Sequence, residues 1–128
     1  EKLIKTVELK NGLKLEVLDG SRKIAGDRWQ VVLKIRINIP VKFHTPAHNG
    51  QVDFNVNDIL ASVGENVCFE HKKERNFIDG SRKDDVLDNM IDSFFFTSFD
   101  YVSNPDFPKR YILRQYREIL RRASWNSN

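Results

Sequence analysis

The side chains best suited to metal chemistry lie close together in this sequence. His44-Thr-Pro-Ala-His48 is followed by Cys68-Phe-Glu-His71, so all three histidines and the single cysteine fall within 28 residues. Imidazole and thiolate are zinc ligands, and HxxxH and CxxH are familiar zinc spacings. One thiolate, however, cannot build a structural site of two cysteines and two histidines. A Cys–His pair at i, i+3 on a strand also points to opposite faces. The expectation is a chain without metal or cofactor, in which His44, His48, Cys68 and His71 are the nearest approach to a ligand set. The bland alternative is loop histidines in water and a packed, inert thiol at Cys68.

Other chemistry is thinner. The chain has no GxSxG, GxxxxGK, GxGxxG or HExxH, and no nucleophile–base pair can be picked out. Enzyme function is therefore not the expected reading, although a triad with members far apart in sequence would leave no local motif. Asp-Gly-Ser-Arg occurs twice, at 19–22 and 79–82, each time followed by Lys. A turn flanked by Ser and two cations can hold phosphate through N–H groups and charge. Asp-Gly-Ser is equally ordinary turn chemistry, and no longer repeat surrounds the two copies.

Charge is unevenly spread. Residues 1–64 carry 10 Lys/Arg against 7 Asp/Glu, residues 65–106 carry 5 against 10, and residues 107–128 carry 6 against 1. The net charge of +3 hides an acidic middle and a basic tail. Arg114, Arg117 and Arg121 recur at helical spacing in that tail, which makes them the candidates for contact with a nucleic acid or a phosphate ligand. The intramolecular alternative pairs them with Asp84, Asp85, Asp88 and Asp92 across a short connection between antiparallel helices.

The elements that must carry these groups follow from periodicity. Leu3, Val7 and Leu9 alternate with Ile4, Thr6, Glu8 and Lys10, Asn11-Gly12 interrupts, and Leu13, Leu15 and Val17 resume. Asn-Gly between alternating runs predicts a hairpin on a type I′ turn. After a polar turn over 19–27, Trp29, Val31, Leu33, Ile35, Ile37, Ile39 and Val41 share one face of a long strand. Lys34 and Arg36 should stand exposed on its other face, which offers no aromatic ring for base stacking. Residues 42–55 read as a loop of functional length. A short helix capped by Asn57 follows, ending before Gly64. Residues 67–77 form a fourth strand at the sheet edge, because the charged run 70–75 suits no interior position.

Val86, Leu87, Met90, Ile91, Phe94 and Phe95 mark a helix. Residues 95–102 satisfy helix and strand patterns alike, and we assign helix. A last helix carries Ile112, Leu113, Tyr116, Ile119, Leu120 and Ala123. The prediction is one α+β domain over residues 1–128: an antiparallel meander of three N-terminal strands, extended by the edge strand, with two C-terminal helices on one face.

A lone cysteine permits no internal disulfide, which favours a reducing compartment such as the cytoplasm. The first residues do not form a signal peptide, and no apolar run is long enough for a membrane. The expected function is a non-catalytic interaction module for another protein or for its own copy, a homodimer being the default in the second case. Phe94, Phe95, Phe96, Phe99 and Tyr101 make an aromatic segment wider than one helix stripe needs. The alternatives are nucleic-acid or phosphate-ligand binding through the basic C-terminal helix, and an enzyme whose site has no local motif.

Overall fold

The structure, a computed structural model, describes residues 1–44 and 55–126. The expected hairpin opens it: β1 (Lys2–Glu8) pairs antiparallel with β2 (Lys14–Asp19). The turn differs from expectation. Gly12 alone is left-handed, at φ 87°, and its N–H donates to the Leu9 carbonyl at 3.0 Å while the Leu9 N–H donates to the Leu13 carbonyl at 2.8 Å. This is a turn closed by a glycine bulge, in which only one residue needs positive φ.

The polar stretch read as a turn contains a short strand, β3 (Arg22–Ala25), too brief and too charged to show a period. β4 (Arg28–Pro40) is the long strand, and it is the centre of the sheet. Along one side it pairs with β2 through Leu33–Ile37 and with β3 through Arg28–Gln30. Along the other it pairs with β5 (Asn66–Asp79) from end to end. The sheet is antiparallel and five-stranded, with β1 and β5 at its two margins.

Val31, Leu33, Ile35, Ile37 and Ile39 are fully buried beneath the helices, as the alternation requires. The expectation that Lys34 and Arg36 stand exposed is not met, since both are half-buried. Their side chains keep 19% and 35% of their surface because Glu1 and Glu70 pair with both. The open sheet face thus carries a network of matched charges around Lys34 and Arg36, beside the buried Leu18 and Val32.

After β4 come α1 (Val41–His44) and α2 (Val56–Val63). The cap of α2 is Asn55, not Asn57: the Asn55 side chain accepts the Asn57 N–H at 2.8 Å. Gly64, at φ 85°, closes the helix. The rest of the expected loop, residues 45–54, lies outside the described residues.

α3 (Lys83–Ser103) runs as helix through residues 95–102 and buries Leu87, Met90, Ile91, Phe94 and Val102. Phe95 and Phe99 are half-buried and stacked 5.5 Å apart, whereas Phe96 is 91% exposed. α4 (Phe107–Asn126) buries Phe107, Ile112 and Tyr116. It packs chiefly on α1 and α2 and does not lie along α3. The end of the sheet around Phe69 needs cover that α3 does not give, and Phe107 and Tyr111 supply it, each with ring centroids 5.4 Å from Phe69. Among the described residues no ion pair joins Arg114 or Arg121 to Asp84, Asp85, Asp88 or Asp92, as the expected rim required. Arg121 pairs with Glu118 inside α4 and Arg110 with Asp106 just before it, while Asp84 pairs with Lys83. Among the described residues no helix is long and apolar enough to cross a membrane.

Candidate functional site

The expected ligand set does not gather. The alternation of β5 sends Cys68 to the open sheet face and His71 to the helix face, where its ring lies 5.2 Å from Phe94. His44 closes α1, and His48 lies outside the described residues. Among the described residues no three His, Cys, Asp or Glu side chains come together. Cys68 is exposed and not packed, because β5 is an edge strand and its even-numbered side chains face away from the helices. Neighbouring atoms still shield the thiol, and that burial raises its pKa above the ordinary 9.0, with Arg36 opposing. It is a poor nucleophile.

The two Asp-Gly-Ser-Arg copies fold alike. In each, the aspartate side chain accepts the N–H of the serine two residues on, Asp19 from Ser21 at 2.8 Å and Asp79 from Ser81 at 3.0 Å. These turns spend on themselves the N–H groups that a phosphate would need. The first copy bridges β2 and β3, and its Arg22 donates to Gln30 at 2.9 Å. The second copy forms the 3-10 turn that links β5 to α3. It is pinned from several sides: Gly80 N–H donates to the Asp27 carbonyl at 2.9 Å, and Arg28 approaches Asp79 at 3.7 Å. Lys83 lies 4.6 Å over the Trp29 ring. A Cβ at Gly80 would come within 2.5 Å of the Asp27 carboxylate and 3.1 Å of the Trp29 ring nitrogen, so any larger residue there would push the Asp27 side chain aside. The Ser81 hydrogen bonds hold the Asp79 carboxyl below its ordinary range.

That rigid turn delivers Arg82 to a groove of about 270 Å³ between β5 and the first half of α3. Val86 and Met90 supply its apolar surface, Asn89 and Ser93 its neutral polar groups, and Lys73, Arg75 and Arg82 its charge. Lys73 and Arg75 reach it because odd positions of β5 face the helices. Opposite Ile37 and Ile39 this side of β5 carries Phe69 and Val67, but opposite Leu33 and Val31 it carries Lys73 and Arg75. None of the three cations has a side-chain hydrogen bond or ion pair among the described residues. Glu74 borders the groove with its charge already met, by Lys72 at 3.0 Å and the Gln30 amide at 3.1 Å. A smaller cavity of about 60 Å³ continues along the seam past His71 to Thr97 and Ser98.

Converging cations with an amide and a hydroxyl nearby bind phosphate or carboxylate oxygens. Arg114, Arg117 and Arg121 do share one face of α4, as their spacing predicted, but Glu118 sits among them and holds Arg121. The groove residues were not singled out from the sequence. The charged run at 70–75 signalled an edge strand, and the second Asp-Gly-Ser-Arg placed an arginine after a turn, but nothing in sequence spacing joined the two. No protein-family model, curated protein or solved structure matches this chain.

Proposed function

We propose that this protein is a non-catalytic interaction module that holds an anionic segment of a partner protein in the groove between β5 and α3. The observation that carries the reading is the convergence of Lys73, Arg75 and Arg82 on one groove with no carboxylate among the described residues paired to any of them. Keeping three like charges together without internal partners costs stability, and an acidic ligand offsets that cost. The functional groups here are cations, an amide and a hydroxyl, a set suited to holding an anion and not to transferring a proton. The adjacent Thr97 hydroxyl donates to the Ser93 carbonyl at 2.8 Å, so its hydrogen is already engaged.

A partner fits better than a second copy at this groove. An antiparallel pairing of two β5 strands over 71–75 sets His71, Lys73 and Arg75 against each other on the helix side, and like charges across a ladder are unfavourable. Fluorescence anisotropy with glutamate-rich peptides tests the reading. Lys73→Glu, Arg75→Glu and Arg82→Glu together should abolish binding, while Arg114→Glu with Arg121→Glu should leave it. Loss of binding only in the α4 variant would move the site to the C-terminal helix and refute the groove.

A further inference from the structure

We infer that the anionic segment binds as an added β-strand on the free edge of β5, with acidic side chains at alternate positions reaching Lys73, Arg75 and Arg82. This inference rests on the groove reading above and adds the geometry of the partner. The direction of the β5 backbone groups can be read from two contacts. The Glu65 carbonyl accepts the Val41 N–H at 2.9 Å, so odd positions turn toward β4. The Cys68 carbonyl accepts the Tyr111 hydroxyl at 3.4 Å, so even positions turn away from it. The register with β4 is unbroken from Asn66 to Arg75, which carries the alternation through the strand. The N–H and C=O groups of Glu70, Lys72 and Glu74 therefore point outward, and among the described residues none has a backbone or side-chain partner. Tyr111 covers the edge at Cys68, and the bulge at Asn76–Phe77, where Phe77 takes φ 58°, ends the regular ladder. Between them lies an open edge one short strand long.

The edge and the groove are adjacent. Side chains of an added strand alternate between the two sheet faces, so every second residue enters the helix side beside Lys73 and Arg75. Arg82 and the Ser93 side chain line the opposite wall. The residues in between meet Glu70, Lys72 and Glu74, a mixed row that selects no single charge. The matching ligand is thus a peptide with an acidic residue at every second position. The lysines at the edge also discourage pairing with an uncharged apolar strand, which makes the edge selective. Single-stranded nucleic acid fits less well: the groove lining holds no aromatic ring for base stacking, and Glu70 and Glu74 flank the track a phosphate backbone would follow.

The test uses the whole protein and four probes in fluorescence anisotropy. They are a short peptide with Glu alternating with Val, the same peptide N-methylated on the residues that would bond to β5, a composition-matched peptide with its glutamates consecutive, and a single-stranded oligonucleotide. The alternating peptide should bind, and N-methylation should weaken it about tenfold or more. The consecutive-glutamate peptide should also bind less tightly. Amide exchange at Glu70, Lys72 and Glu74 should slow on binding. Equal affinity for the methylated and unmethylated peptides, both lost in the Lys73→Glu/Arg75→Glu/Arg82→Glu protein, would overturn strand addition and leave the groove standing. Binding of the peptides undiminished by those substitutions would overturn both. Tighter binding of the oligonucleotide than of any peptide would overturn the peptide ligand.

Discussion

His71 links the buried seam to solution pH. Burial beside Phe94 lowers its pKa below the ordinary 6.5, and the charge of Lys73 pushes it the same way. His44 is lowered by burial alone. A base with a depressed folded pKa binds fewer protons when folded than when unfolded, so stability rises with pH across the window between its two values. The contribution is complete above the unfolded value of 6.5 and is lost as pH falls below it. Asp79 titrates in a separate window: its lowered pKa gives stability above 3.8 that disappears only on further acidification. Urea denaturation at a series of pH values should show stability declining as pH falls through and below 6.5. His71→Gln should flatten that decline, leaving the part that belongs to His44. A steeper decline in the variant would mean that His71 is stabilised as the cation.

Between elements, the most specific tie is made by one residue of the first turn. Because Gly12 takes the left-handed conformation alone, Asn11 is free to reach the end of α3. Its amide donates to the carbonyls of Val102 at 2.8 Å and Asn104 at 3.0 Å, and its oxygen accepts the Leu13 N–H at 3.1 Å. The hairpin thus serves as the C-cap of a helix some ninety residues later. Asn11→Ala should cost about 1–3 kcal/mol by stranding those carbonyls. Asn11→Asp should cost more, because it sets a negative charge against two carbonyls at the negative end of a helix dipole. Thermal denaturation of the two variants checks the order, and an aspartate variant as stable as wild type would remove the tie. The same turn shows what sequence could tell. Asn-Gly between alternating runs located the hairpin, since that pattern is local. The turn type and the task of Asn11 were not legible, since they depend on a helix end far along the chain. The Trp29–Val41 alternation likewise revealed the central strand. The groove stayed hidden because Lys73 and Arg75 of β5 come to face Arg82 and the first half of α3 only in the folded chain.

For the molecule as a whole, β4 is the member on which the others depend. It pairs with β2, β3 and β5 and carries α3 on its apolar face, while α1 continues directly from its end. The core that α3 and α4 close shares its side chains with this strand: Leu33, Ile35, Ile37, Ile39 and the adjoining Val41 have no exposed surface and belong to one cluster with Met90, Phe94, Phe107 and Ile112. No layer keeps a core of its own once β4 is lost, so the described elements should unfold together. Leu33→Ala removes atoms from the middle of this cluster and should cost about 2–5 kcal/mol, a large share of the roughly 5–15 kcal/mol typical of a domain. Two signals report on different parts of the structure. Far-UV circular dichroism follows the helices and sheet, while fluorescence follows Trp29, half-buried at the start of β4 under Lys83; Trp125, already 81% exposed, should change little. In guanidinium titrations both signals should move to the same lower midpoint with an unchanged slope, since the area exposed on unfolding is nearly the same. Transitions that separate, with the Trp29 signal lost before the helical one, would mean that α3 and α4 keep a core independent of the sheet. An unmoved midpoint would mean that Leu33 is not where the β4 register places it.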